Sequence, residues 1–320
     1  MMKKFIALLL ACALVLSLTA VAFADEELRF VTGGESGTYY AFGNVIAQHI
    51  SNNTDVKVVG LVGAGSQGNV SKLADEEAEL AFCQSDVMAY AYEGINLFED
   101  YGAVTNFSTL CALYTEQVQL VTTNPDIKTV EDLRGKSVSI GAPGSGVYFN
   151  AVDVLGAYGL TVDDINPTYQ SFGDTAESIK DGKIDAGFVV AGAPTTAIVD
   201  LCATNSNTHL VSFDEEHLDA LVATSPYYAK CTIKAGTYST MTEDVYTVGV
   251  GAVVLVADYV TEDEAYTIVK DIFDNAADLV SSHAKYGEVN LEYGASITSV
   301  PYHAGAAKYF AEKGITVPTK

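Results

Sequence analysis

The sequence predicts an α/β protein built as two similar lobes, and three observations carry that prediction. A strand signal, a glycine-rich turn and a helical pattern follow one another in that order three times. Two short motifs recur at nearly one spacing: Ser36-Gly37-Thr38-Tyr39-Tyr40 returns as Ser145-Gly146-Val147-Tyr148-Phe149 at an offset of 109 residues, and Glu79-Leu80-Ala81-Phe82 as Asp185-Ala186-Gly187-Phe188 at 106. Hydrophobic residues make up 49% of the chain and charged ones 18%, enough buried apolar surface to offset the entropy of ordering it, which excludes a disordered chain. Strands alternating with helices imply largely parallel pairing, and the self-similarity implies two units of one design.

In chain order, Lys3-Lys4, the apolar run Phe5 to Leu18 and the small-x-small pattern Ala22-Phe23-Ala24 read as a signal peptide over residues 1–24. The run is shorter than the ~20 residues of a membrane span. Leu9-Leu10-Ala11-Cys12 resembles a lipoprotein processing site, with too short an apolar run ahead of it. The working chain is then residues 25–320, extracytoplasmic and expected to act as a monomer. With 17 Lys+Arg against 41 Asp+Glu the full chain carries −24, and −26 once a leader with two lysines and no acid is removed. Such a surface repels polyphosphate, so nucleic acid is not an expected partner.

The first unit runs Leu28 to Thr32 as a strand, Gly33-Gly34-Glu35-Ser36-Gly37 as a turn, and a helix whose Phe42, Val45, Ile46, His49 and Ile50 share one face. In the second, Val56 to Val62 is a strand, Gly63 to Asn69 a turn and Val70 to Glu77 a helix. The third leads from Val138–Ile140 through Gly141 to Gly146 into a helix carrying Ala151, Val152 and Leu155. Gln117 to Thr123 and Tyr246 to Val256 are β-branched runs suited to strands crossing between the lobes. The expected division is 25–120 plus 250–320 for one lobe and 121–249 for the other.

Four cysteines remain in the exported chain, Cys83, Cys111, Cys202 and Cys231. They read either as buried thiols or as a Cys202 to Cys231 bridge. With no C-x-x-C and no H-E-x-x-H, a metal site has little support. Gly63-x-Gly65-x-x-Gly68, with Asp86 18 residues on, formally matches a dinucleotide fingerprint, but an exported protein is a poor host for that cofactor, and none is expected. No serine stands in G-x-S-x-G, so a hydrolase is not indicated. His303 lacks an acid or nucleophile partner and reads as structural.

The three turns share one feature: each delivers Gly and Ser to a helix start, where free N–H groups and the positive end of the dipole attract anions. Only Arg29 and Arg134 are present to hold a carboxylate by a guanidinium, so the donors must be N–H, hydroxyl and amide groups. The candidate ligand-binding residues are Thr32, Gly33, Ser36, Gly37, Tyr39, Ser66, Gln67, Asn69, Gln84, Ser85, Glu116, Gly144, Ser145, Gly146 and Val147. Glu116 is a candidate for a ligand ammonium group.

With these residues in place, the chain resembles the TAXI-type solute-binding proteins of tripartite ATP-independent periplasmic (TRAP) transporters. The likeness rests on Thr32-Gly33-Gly34, Gly37-x-Tyr39-Tyr40, Gly65-Ser66, Asn69, Gln84-Ser85-Asp86, Tyr114-x-Glu116, Asp132-Leu133-x-Gly135-Lys136, Gly141-x-Pro143-Gly144-Ser145-Gly146, Asp181 to Ala186 and Gly192-x-Pro194. Ala41 and Ala304 stand where that family often has proline. The resemblance implies a two-lobed type II periplasmic-binding-protein fold, a mixed, largely parallel sheet and a hinge between lobes. It further implies a non-enzymatic receptor that captures a small carboxylate, glutamate or a related amino acid or a dicarboxylate such as 2-oxoglutarate, and delivers it to TRAP membrane subunits. An ABC-type or signalling receptor of the same fold is the alternative.

Overall fold

The computed structural model describes residues 27–320, so the expected leader, with Cys12, lies outside the described residues. The strands are β1 (Leu28–Val31), β2 (Val58–Leu61), β3 (Leu80–Gln84), β4 (Phe107–Thr122), β5 (Ser137–Ser139), β6 (Asn166–Thr168), β7 (Ala186–Ala191), β8 (His209–Leu210), β9 (Ala229–Ile233) and β10 (Val245–Ala257). The helices are α1 (Thr38–Asn53), α2 (Ser66–Ala74), α3 (Ser85–Glu93), α4 (Val147–Ala157), α5 (Phe172–Lys180), α6 (Thr196–Thr204), α7 (Glu215–Thr224), α8 (Glu262–Asp274), α9 (Ala276–Leu279), α10 (Leu291–Gly294) and α11 (Ala304–Glu312). One mixed sheet runs β2-β1-β3-β10-β4-β7-β5-β6, with β9 added to β10 and β8 to β4.

The two halves of this order follow one plan. β1 lies between β2 and β3, and β5 between β6 and β7, all parallel. Each trio is then flanked by a long antiparallel strand, β10 beside β3 and β4 beside β7. β5 begins 109 residues after β1, and β7 106 residues after β3, so the sequence offsets mark one supersecondary unit built twice. The expectation of largely parallel pairing holds in the trios and fails at the centre, where β4 and β10 run antiparallel to each other. β-branched and aromatic content specifies a buried strand but not its direction, which is why the sequence pattern misses this.

The apolar core divides along the same line. One cluster gathers buried residues from Leu28 to Tyr114 and Ala252 to Val317, with Phe149 inserted from α4, while two others gather residues between Val118 and Val250. β4 and β10 contribute to both sides and cross where Gly249, Val250 and Gly251 pair with Gln117, Glu116 and Thr115. A Cβ on Gly249 would lie 2.5 Å from Thr115 Cγ2 and 2.8 Å from Glu116 O, so only glycine admits the neighbouring strand there.

Local boundaries depart from the periodic pattern for identifiable reasons. α2 begins at Ser66 rather than Val70, because Gly65 at φ +102° turns the chain directly into the helix, and it ends before Glu76, which takes a left-handed φ of 57°. β2 starts at Val58, since Ser51 and Thr54 hydroxyls bind the backbone of Val58 and Val56 and hold that stretch in a turn. α8 carries a capping box between Thr261 and Glu264 and buries Ala265, Ile268, Val269 and Ile272 on one face. His303 caps α11: Nδ1 accepts from Gly305 N at 3.2 Å and Nε2 donates to Val260 O at 3.0 Å, a structural role. Gly305 meets α8 closely, its absent Cβ lying 2.1 Å from Glu262 O. Gly305→Ala is therefore expected to force α11 off α8 and lower stability by about 1–3 kcal/mol, read as a lower urea midpoint with unchanged slope. All four described cysteines are unpaired; burial pushes the Cys231 thiol up to about 12 and raises Cys83 and Cys111 as well.

Candidate functional site

The carboxyl ends of β1, β2, β3 and β7 and the turns that follow β5 and β6 surround a cavity of about 260 Å³. Four helices begin at its wall: Gly37, Gly65, Gln84 and Gly146 are the N-caps of α1, α2, α3 and α4, and none supplies a capping side-chain hydrogen bond. In contrast α5, α7, α8 and α11 are capped by Ser171, Asp214, Thr261 and His303. In α6 the Thr195 hydroxyl turns to Gly192 O instead. The uncapped starts turn the positive dipole ends and part of their first-turn N–H groups toward the cavity, although Gly68 N of α2 is taken by Gly144 O and the first-turn amides of α3 face the Asp86 carboxyl. Ser145 Oγ, buried in the cavity wall with no hydrogen-bond partner among the described residues, adds a hydroxyl to this set.

Glu116 and Tyr39 are the ionisable side chains of the lining. Glu116 is 2% exposed, and Tyr39 OH donates to its Oε2 at 2.5 Å. Burial holds the Glu116 carboxyl well above the usual carboxylate range; the Tyr39 hydrogen bond and Lys285 pull it down, and Asp86 pushes it further up. Tyr39 stacks on Phe82 with ring centroids 4.5 Å apart, which fixes the hydroxyl. The two arginines are engaged elsewhere, Arg29 with Glu79 at 2.6 Å and Arg134 with Asp164. An anion in the cavity meets dipoles and hydroxyls rather than a cation.

Of the residues singled out in the sequence, Gly33, Gly37, Tyr39, Ser66, Gln84, Glu116, Ser145 and Val147 line the cavity. The others do not. Thr32 bonds Leu61 O through its hydroxyl, and Asn69 is buried behind the wall with Nδ2 on Thr32 O and Phe82 O. Ser85 Oγ accepts from Gly251 N. Ser36 borders a separate groove with α5 and α6, and Gln67 lies outside the lining. Gly144 O accepts from Gly68 N at 2.9 Å, and Gly146 leaves room for Gln84, whose Oε1 would be 1.5 Å from a Cβ there.

Gln170, Ser171 and Phe172, which the sequence motifs do not single out, also line the cavity. The internal repeat carries the signal for them: the turn after β6 occupies the place in the second unit that Gly63 to Gly65 occupy after β2 in the first.

The glycines of the dinucleotide-like match serve other ends. A Cβ on Gly65 would stand 3.0 Å from Ser145 Cα, and one on Gly63 2.6 Å from Thr32 O. The close approach is thus made by another part of the chain. Asp86 is buried against Asn150, away from the cavity. Thr38 Oγ1 to Gly192 O at 2.8 Å and Gln84 Nε2 to Asn150 Oδ1 at 2.6 Å further join the two halves beside the cavity. Among the described residues no group of three His, Cys, Asp or Glu side chains could hold a metal ion, and no helix is long and apolar enough to cross a membrane.

The same architecture is found in solved proteins of low sequence identity. PhnD1 from Prochlorococcus marinus (MIT 9301), in complex with methylphosphonate, shares 11% identity with a TM-score of 0.54 over 82% of this chain and 89% of that one. A protein from Bordetella bronchiseptica RB50 shares 13% identity with a TM-score of 0.53 over 89% and 88%. The alkanesulfonate-binding protein SsuA from Xanthomonas axonopodis pv. citri, bound to MOPS, shares 16% identity with a TM-score of 0.49 over 89% and 83%. The fold is the α/β periplasmic-binding-protein fold. The model of the NMT1-like family matches residues 30–314, nearly the whole described chain, and the protein belongs to that family.

Proposed function

We propose that this protein is an extracytoplasmic, non-enzymatic solute-binding receptor that traps a small carboxylate between two lobes, 25–120 with 250–320 and 121–249, hinged where β4 and β10 cross. The observation that carries the reading is the cavity itself, onto which four helices open without side-chain caps. The carboxylate lies at those N-termini and accepts from the Ser145 hydroxyl, and from Ser66 once that hydroxyl turns from Gln84 Oε1, to which it donates at 3.2 Å. Glutamate or a related amino acid fits best, its ammonium meeting Glu116; a dicarboxylate such as 2-oxoglutarate binds with Glu116 protonated. A lining without Lys, Arg or His favours a carboxylate over a doubly charged phosphonate.

A thermal-shift screen of amino acids, dicarboxylates, alkanesulfonates and phosphonates tests this. A ligand at 100 times its Kd stabilises by about 2.7 kcal/mol. Stabilisation by sulfonates or phosphonates alone, or by no acid, overturns the carboxylate reading. For the membrane partner, the receptor fold shared with methylphosphonate-bound PhnD1 is compatible with delivery to an ABC-type importer, and we take that as the first reading. Delivery to TRAP subunits is the second, favoured by the motif set from Thr32-Gly33-Gly34 to Gly192-x-Pro194. Uptake that survives collapse of ion gradients while ATP is retained supports the first, and uptake lost on that collapse supports the second.

A further inference from the structure

Behind the cavity wall lies a buried carboxyl with an incomplete set of partners. Asp86, in the first turn of α3, is 0% exposed. Its Oδ2 accepts from Asn150 Nδ2 of α4 at 2.9 Å, while Oδ1, beside the N–H groups of its own helix turn, has no well-formed hydrogen bond among the described residues. Asn150 is the centre of a network spanning the two halves: Oδ1 accepts from Gln84 Nε2, Nδ2 donates also to Tyr228 OH at 2.8 Å, and that hydroxyl donates to Asp153 Oδ2 at 2.8 Å. Beside it Phe149 leaves its own half to pack on Tyr90, centroids 5.5 Å apart. The titratable groups around Asp86 are Tyr90 on α3, Cys83 on β3, Glu116 on β4, Asp153 on α4, and Tyr227 and Tyr228 ahead of β9. None of these is a cation.

We propose that Asp86 is a proton-operated latch between the lobes: neutral, it is tolerated in the closed interface, and ionised, it drives the lobes apart to where water reaches it. The inference rests on the two-lobed receptor reading. A buried carboxylate facing only the Asn150 amide and the N–H groups of its own helix turn, with no cation beside it, is poorly compensated, whereas the neutral acid is not penalised in this way. Burial raises Asp86 to about 7, with the first-turn amides and Asn150 pulling down and Asp153 pushing up. An exposed aspartate titrates at about 3.9. Between those values closing takes up a proton, so the closed-to-open ratio falls about tenfold per pH unit from about pH 4 to about pH 7 and levels above. Gln84 ties the device to the cavity, since it lines the cavity wall and its Nε2 donates to Asn150 Oδ1.

Small-angle scattering of the ligand-free protein across pH 4.5 to 8.5, for wild type, Asp86→Asn and Asp153→Asn, tests the latch. The expected result is a wild-type radius of gyration that grows with pH up to about 7 and then levels, an Asp86→Asn protein compact throughout, and Asp153→Asn still responsive. A curve that is flat in wild type, or unchanged in Asp86→Asn, overturns the proposal. Should Asp86→Asn not fold, carbon-13 titration of the wild-type aspartates replaces it: a carboxyl titrating near 7 in the compact form supports the latch, and its absence overturns it. No ligand enters either measurement, so a failed acid screen leaves this test standing, and failure here leaves the receptor reading intact.

Discussion

Asn69→Ala is expected to lower the unfolding free energy by about 3–5 kcal/mol, a large share of the ~5–15 kcal/mol that holds an ordinary domain together. The side chain is buried and bridges two strand ends, Nδ2 donating to Thr32 O at 2.6 Å on the β1 side and to Phe82 O at 2.8 Å in β3. Truncation leaves two buried carbonyls unsatisfied, each costing about 1–3 kcal/mol, and opens a void beside them. Asn69→Asp should do no better, because carboxylate oxygens would face those carbonyls. Urea unfolding of both variants reads the loss. A variant of unchanged stability that has lost acid binding would instead make Asn69 a ligand donor rather than a strap between strands behind the wall.

For Glu116→Gln, amino acid affinity is expected to fall about 10- to 100-fold, the range of a hydrogen bond to a charged partner, while dicarboxylate affinity holds or rises. Glu116 is the ionisable acid of the cavity and has Tyr39 as its hydrogen-bond donor. The pH dependence runs in opposite directions for the two ligand classes. Burial raises the Glu116 pKa. An ammonium ligand needs the ionised form, so its affinity climbs with pH until the raised pKa is passed. A second carboxylate needs the neutral form, so its affinity is full at low pH and declines as pH rises through that value. Calorimetric titrations of wild type, Glu116→Gln and Tyr39→Phe at several pH values separate these cases. Equal loss for both ligand classes would remove Glu116 from ligand discrimination and leave it a structural acid.

Sequence and structure divide the work unevenly between fold and site. The repeat was legible because it is local: Ser36-Gly37 and Ser145-Gly146 each precede a helix, and the 109- and 106-residue offsets reappear in the strand starts. Helix faces such as Phe42, Ile46 and Ile50 follow from period alone. The antiparallel pairing of β4 with β10 was not legible, since pairing direction is a relation between segments far apart in the chain and leaves no mark in either one.

The site shows the same division more sharply. Gly, Ser and Tyr beside strand ends could be read as a cluster of donors, and eight of the fifteen singled out line the cavity. Neighbours in sequence then part ways in space: Ser66 faces the cavity and Asn69, one helical turn on, is buried behind it, while Gln84 lines the wall and Ser85 turns to Gly251. By itself the sequence determined the unit of construction, the glycine- and serine-bearing helix starts and the scarcity of arginine, because each depends on residue type and short-range spacing. Only the tertiary structure decided which side chains meet in the cavity, why Gly63 and Gly65 are glycines, and that Asp86 is sealed between the halves, because those facts arise when distant backbone surfaces come within van der Waals contact.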